Sequence, residues 1–336
     1  EIYHWVIFQH FHKIFCTVWR DRIKNTVNFK RNSEINMFWQ KISFLNNLYI
    51  KYKWRQRRIK LGNENKDKIF FVIRRSTCYV GLFSYITTNI GLVRSAIEKG
   101  FIPVIDMQNN LNSYLEPEQI GKKNAWEFYF EQPCGYTLED IKHSRNIILS
   151  CGIVHENDIY PGKEVGWEED ICKEWREFCS KFLKVKTDIK EEAKRIYNSM
   201  FGEEKTLGVL ARGTDYIYGH PHNHPVQPEV DSLILKVRET KSQYSCRWIY
   251  LATEDEKIYQ RFKEEFGDCL KVSAAKRLTD GQSLNINKVS FERENDRFLR
   301  GKEYLINVLL LSMCQCLVGG NVGGTVGALL LSKGYE

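Results

Sequence analysis

Seven short apolar runs recur along the chain: "IFFVIRR", "FIPVIDM" (Phe101–Met107), "RNIILSC" (Arg145–Cys151), "LGVLAR", "WIYLAT", "CLKVS" and "QCLVGG". Each is too short for a helix and is apolar at successive positions rather than alternate ones. Strands covered on both faces have this pattern, and parallel sheets flanked by helices produce such strands. The segments between the runs fit that role. "YITTNIGLVRSAIEKG" is an amphipathic helix closed by Gly100, and "EKIYQRFKEEFG", "KEYLINVLLLSM" and "GGTVGALLLSKG" have helical character too. Strand, helix and strand with a short return make a parallel α/β unit, and the runs fall into two sets. A charged helical stretch, Glu168–Met200, bridges them. The expected fold is α/β, with two Rossmann-like domains (63–200 and 201–336) and a cleft between them. A length of 336 residues agrees with two domains.

Residues 1–62 are set apart as a basic, aromatic, helical leader, closed by the polar break "LGNENKDK" (Leu61–Lys68). The formal charge of the chain is +8, yet residues 1–60 carry 13 Lys or Arg against 3 Asp or Glu, so the remainder is close to neutral. This distribution argues against a nucleic-acid binder, whose basic surface belongs to its folded body. The leader interleaves Trp, Tyr, Phe and Ile with Lys and Arg. Gln9, His10, His12 and Lys13 break its longest apolar run, so it is not a membrane span, and it lacks a signal-peptide cleavage pattern. Two readings stay open: peripheral contact of residues 1–60 with an anionic membrane surface, and helices packed on the main body. The chain starts without Met and stops in mid-pattern at "SKGYE", as a trimmed fragment would. Ten cysteines occur without any CxxC pair, and no N-x-Ser/Thr acceptor is present. Both facts favour a reducing, cytoplasmic setting.

Ligands of open α/β sheets bind outside the carboxyl ends of the strands, and three such ends in the second half are chemically unusual. "VLARGTDY" ends a buried strand on Arg212, with Thr214 and Asp215 in the turn. An arginine there either presents a fork of donors to a phosphate or forms an ordinary ion pair. "YLATEDE" places Thr253, Glu254 and Asp255 after a strand, where they either touch a ligand or cap the next helix. "LVGGNVGGTVGALLL" places Gly323, Gly324 and Thr325 at a strand-to-helix turn. Glycines there let backbone N–H groups approach a phosphate, though tight packing also calls for glycine. Arg212 and this turn together describe a pyrophosphate site, and the Lys-Ser/Thr of a P-loop is missing.

The segment "GHPHNHP" carries His220, His222 and His224. No Cys or carboxylate cluster accompanies them, so no metal site is assigned. A histidine near its working pKa suits proton abstraction, and Asp215 or Glu229 could serve instead; a rigid loop with backbone bonds is the alternative. "NAWEFYFEQP" carries Trp126 and Glu127 on a short helix. Those two side chains either bind an acceptor sugar, by stacking and by accepting a hydroxyl proton, or belong to a core helix.

The order of these pieces resembles the C-terminal half of fucosyltransferases of the α1,6/O-fucosyltransferase superfamily. The matching stretches are Ala211–Asp215, Leu251–Asp255, Leu311–Ser312 and Val322–Thr325. In the first half, "GLFSYITTNIGLVRSAIEKGFIPVIDM" and "KNAWEFYFEQP" (Lys123–Pro133) resemble the acceptor half of bacterial surface-polysaccharide members. The resemblance implies a GT-B-like fold and an inverting, metal-independent glycosyltransferase without a cofactor. It implies transfer of fucose or a related sugar from a nucleoside diphosphate donor, GDP-fucose, to a glycan. Arg212 would then hold the β-phosphate, Gly323, Gly324 and Thr325 the pyrophosphate, and Thr253 and Asp255 would lie near the nucleoside. Asp215, His220 and His224 are the base candidates. Two departures stand out: Asn307 replaces a guanine-binding Asp, and a Ser-Ser pair is missing. They motivate the alternative of a non-catalytic nucleotide-sugar or glycan-binding protein of the same fold.

Overall fold

The computed structural model describes residues 44–155, 158–164, 168–213, 227–279 and 290–336. The chain divides into two compact units, Glu1–Lys53 and Trp54–Glu336. In the first unit the described residues are helical from 44 onward. The second unit is α/β and contains two four-stranded sheets.

The first sheet has the order β1-β4-β2-β3, with β1 (Arg57–Ile59), β2 (Phe70–Ile73), β3 (Ile102–Ile105) and β4 (Ile147–Leu149). β2 pairs in parallel with β3 and β4, and all four of its residues are buried. Helix α1 (Leu82–Glu98) connects β2 to β3. It closes where Gly100 turns left-handed (φ +69°), with the Phe101 N–H donating to the Ala96 carbonyl. β1 was not anticipated. Residues 57–59, expected within a helical leader, form an edge strand antiparallel to β4. The "polar break" is likewise bonded in place, since the Leu61 and Gly62 N–H groups both donate to the Ser144 carbonyl.

The second sheet is fully parallel in the order β7-β6-β5-β8. It comprises β5 (Thr206–Leu210), β6 (Trp248–Ala252), β7 (Leu270–Lys271) and β8 (Cys316–Gly319). The expected bridge is two helices after a short α2 (Pro161–Glu164): α3 (Glu169–Phe182) and α4 (Thr187–Phe201). The break falls at Val185, which bridges back to Phe130. Then follow α5 (Val230–Gln243), α6 (Glu256–Phe266), α7 (Asp296–Met313) and α8 (Gly323–Leu331).

One large apolar core joins the halves, running from Phe71 and Ile73 through α1, α3 and α4 to Leu210, Tyr250, α7 and α8. α8 packs against α1 and α3 as well as α7, so the last helix of the second half rests on the helices of the first. The nine cysteines among the described residues are free thiols. Burial pushes the thiols of Cys179 and Cys316 up to about 12, which keeps them protonated and apolar in character.

Candidate functional site

The parallel register of the second sheet sets the position of its polar strand ends. Leu210 lies opposite both Ala252 and Gly319, so the chain leaves β5, β6 and β8 at one level. Arg212, Thr253–Asp255 and the glycine turn therefore emerge from three adjacent strands at one edge of the sheet, as the sequence predicts.

Glu254 organises the first two of these ends. Its Oε2 lies 3.4 Å from Nη1 of Arg212, and both side chains are largely buried. Its Oε1 accepts the Gly213 N–H at 3.0 Å. A largely buried guanidinium with a carboxylate behind it keeps its charge and orientation before any ligand arrives. Gly213 is required by close approach, because a Cβ there would sit 2.5 Å from Oδ2 of Asp255. Asp255 in turn caps α6, accepting the N–H groups of Lys257 at 2.8 Å and Ile258 at 3.3 Å. Its own N–H donates to Oγ1 of Thr253. Thr253 and Asp255, expected near a nucleoside, thus build the turn that positions Glu254. The sequence offered Glu254 only a ligand contact or a helix cap, although a carboxylate one strand away from a strand-end arginine is the signal that would have found its pairing with Arg212.

The third end opens α8. Among the described residues, the N–H groups of Gly323, Gly324 and Thr325 have no hydrogen-bond acceptor, and the first turn of a helix presents such groups with partial positive charge. The Thr325 hydroxyl donates to the Gly320 carbonyl at 2.7 Å, which holds the turn while its oxygen lone pairs remain available as acceptors. The glycines here serve close packing. A Cβ on Gly324 would fall 2.6 Å from the Tyr304 hydroxyl, and one on Gly320 would fall 2.0 Å from Oε1 of Gln227. A Cβ on Gly323 would approach Phe83 to 3.2 Å, so the first turn of α8 abuts the first turn of α1. Phosphate access and tight packing are therefore compatible uses of the same glycines.

Asn307 lies against the middle of β6 rather than at its carboxyl end. Its Oδ1 accepts the Tyr250 hydroxyl at 2.9 Å, and Tyr250 is buried in the core. A buried tyrosine hydroxyl needs such a partner, and Asn307, itself of intermediate burial, supplies it away from the strand end where the resemblance implies a guanine contact.

The acceptor-binding expectation for Trp126 is corrected. The indole is 1% exposed, its Nε1–H donates to the Glu131 carbonyl at 3.0 Å, and its ring lies 4.6 Å from that of Phe130. No face of the ring is open to a sugar. Glu127 is also engaged, accepting from Nδ2 of Asn124 and Nε2 of Gln132. Those two amides bind the backbone of β3 and the residues just after it: Ile105 donates to Gln132, Met107 donates to Asn124, and the Ile105 carbonyl accepts from both. β3 is an edge strand, and this segment supplies the partners that a neighbouring strand would otherwise give.

Asp215, His220 and His224 lie outside the described residues. Among the described residues, no group of three His, Cys, Asp or Glu could hold a metal ion. No helix of the described residues is long and apolar enough to cross a membrane.

No protein-family model matches the sequence, and no curated protein matches it. Among solved structures, the chain is similar to the fucosyltransferase NodZ from Bradyrhizobium, with a TM-score of 0.48 and 14% identity over 79% of this chain and 93% of that one. It is also similar to the NodZ alpha-1,6-fucosyltransferase soaked with GDP-fucose, with a TM-score of 0.47 and 14% identity over the same shares. The apo form of POFUT1 gives a TM-score of 0.49 and 9% identity, over 78% of this chain and 94% of that one.

Proposed function

We propose that the chain is an inverting glycosyltransferase that moves fucose or a related sugar from a nucleoside diphosphate donor, GDP-fucose, to a glycan acceptor. The observation that carries this reading is the shared strand-end edge of the second sheet. There Arg212 is held by Glu254, and the open N–H groups of α8 emerge two strands away from Glu254. An arginine and a helix N-terminus at one edge suit a diphosphate. When the anomeric bond breaks, negative charge grows on the leaving diphosphate, and Arg212 and the α8 amides stabilise it without reorganising. A single displacement inverts the anomeric centre. The acceptor hydroxyl gives its proton to a base from the segment that follows Arg212, with Asp215, His220 and His224 as the candidates. No metal and no cofactor take part in this reading, and the division into an acceptor half (63–200) and a donor half (201–336) belongs to it.

Purified chain incubated with GDP-fucose and a glycan acceptor should release GDP, and Arg212→Ala should remove that release while leaving the melting transition in place. Turnover by Arg212→Ala at the level of the parent chain would refute the assignment.

The second reading is a nucleotide-sugar or glycan binder without catalysis, and Asn307 favours it. That residue's carbonyl is committed to Tyr250, which leaves the base without the carboxylate partner expected in a GDP pocket. A rise in melting temperature with GDP but no hydrolysis or transfer would select this reading.

We further propose a cytoplasmic enzyme with peripheral membrane contact through residues 1–60. Phe44, Leu45, Leu48, Tyr49 and Tyr52 are exposed on the helical segment after residue 43, within the most basic part of the sequence. Aromatic and basic residues together suit the interface of an anionic bilayer. Co-sedimentation with phosphatidylserine vesicles and not with phosphatidylcholine vesicles is the expected result; equal recovery with both would reject it.

A further inference from the structure

A cavity of about 390 Å³ lies at the carboxyl ends of β2 and β4, walled by α1 and α3. Its size falls within the range of small-molecule sites, about 300–1,000 Å³. Its place in the sheet is equally specific. From β2 the chain crosses to β3 on one side, and β4 joins β2 on the other. The crevice between β2 and β4 is therefore a topological switch point, where open α/β sheets bind ligands. It is built entirely from the first sheet and its helices, whereas Arg212 and α8 belong to the second sheet.

Two adjacent arginines line this cavity. Nη1 of Arg75 donates to the Ser84 carbonyl at 2.7 Å and to Oγ1 of Thr88 at 3.0 Å, and Nη2 donates to Oγ of Ser84. Its Nε is buried with no acceptor among the described residues. Arg74 donates to the carbonyls of Ser150 and Arg55 and lies over the Trp54 ring. Every one of these partners is neutral. By contrast, each carboxylate on the wall has a donor of its own. Glu98 and Glu174 pair with Arg94, Glu164 accepts the Trp175 indole N–H, and Asp158 accepts the His155 backbone N–H. Asp106, the acid that acts on Arg74, accepts from Gln108 and Asn109.

Asn89 adds a neutral polar side chain to the same wall. It is only 3% exposed as a residue and lines the cavity, where its amide can both donate to and accept from a ligand. A buried guanidinium with no counter-ion among the described residues is costly, and an anionic ligand relieves that cost. Burial lowers the pKa of both arginines, and a guanidinium remains charged under such a shift.

We propose that this cavity is a second binding site, separate from the Arg212 edge, for the carboxylate or phosphate of a monosaccharide-sized ligand, with Arg75, Arg74 and Asn89 as its polar contacts. The oxyanion follows from the arginines alone. The sugar that carries it rests on the glycosyltransferase reading, and makes the ligand a uronate unit or a sugar phosphate.

Thermal-shift and calorimetric titrations of the full chain with glucuronate, glucose 1-phosphate and methyl glucoside test this. The charged sugar that matches the site should raise the melting temperature, whichever of the two it is, and neutral methyl glucoside should not. Arg75→Gln should weaken that binding at least about tenfold. Asn89→Asp, nearly isosteric and therefore suited to remain folded if Arg75→Gln does not, places a negative charge in the cavity and should weaken it as much. The Asn89→Asp chain should keep the melting shift caused by GDP, which separates failure here from failure of the donor reading. A chain that responds to neither anion, or whose anion binding is unchanged in Asn89→Asp, overturns the proposal.

Discussion

The two sheets hold arginines at the carboxyl ends of their strands in opposite ways. In the second sheet Arg212 has a carboxylate behind it, Glu254, and that carboxylate is itself fixed by the Gly213 N–H. In the first sheet, the contacts that hold Arg74 and Arg75 among the described residues are with carbonyls, hydroxyls and rings. A paired arginine sits ready, with its electrostatic cost already met by protein. One among neutral donors and acceptors leaves its counter-charge to whatever enters. The first arrangement suits a step in which charge develops during reaction; the second suits a ligand that is charged from the outset.

Several variants would break or sharpen this contrast. The largest effect is expected where the first sheet is held together. Trp126→Ala should cost about 3–5 kcal/mol of stability, read from denaturant unfolding, because it empties a fully buried position. A loss below about 1 kcal/mol would show that the indole is not core. Next comes Arg212→Ala, with an expected loss of about 10²–10³-fold in kcat, the magnitude seen when a charge-stabilising donor is removed. A smaller change is expected at Gly213→Ala. Its new Cβ would strike Asp255, and the displaced cap should cost about 1–3 kcal/mol by thermal unfolding. Smallest is Asn307→Leu, which takes one acceptor from the Tyr250 hydroxyl and should cost about 0.5–1.5 kcal/mol of stability while leaving donor KM unchanged. A large rise in donor KM would instead return Asn307 to the nucleotide pocket.

Much of this molecule was legible in the linear sequence. β2, β3, β4, β6, β7 and β8 lie within apolar runs identified from the sequence, β5 starts one residue before its run, and Arg212 and Gly323 stand where the strand-end rule places them. The missed parts have a common cause. β1 is a three-residue edge strand among charged residues, and neither its length nor its pattern differs from that of a helical leader. "NAWEFYFEQP" has the composition of a sugar platform and of a core segment equally. Only its position beneath the edge of β3 distinguishes the two. Arg74 and Arg75 were visible as the end of "IFFVIRR", yet nothing local shows that their partners are neutral.

The sequence alone determined the seven apolar strand segments, the helices between them, and which of these carry a cation or a glycine turn at their ends. Those properties follow from periodicity and side-chain chemistry over a few residues. The tertiary structure decided partnership. It gave Arg212 a carboxylate and left Arg75 with none among the described residues, turned Trp126 inward, and tied Asn307 to Tyr250. Each of those outcomes depends on which distant segments the sheet order brings within hydrogen-bonding distance. No local pattern encodes that proximity, because it arises only when the strands pair and the helices close over them.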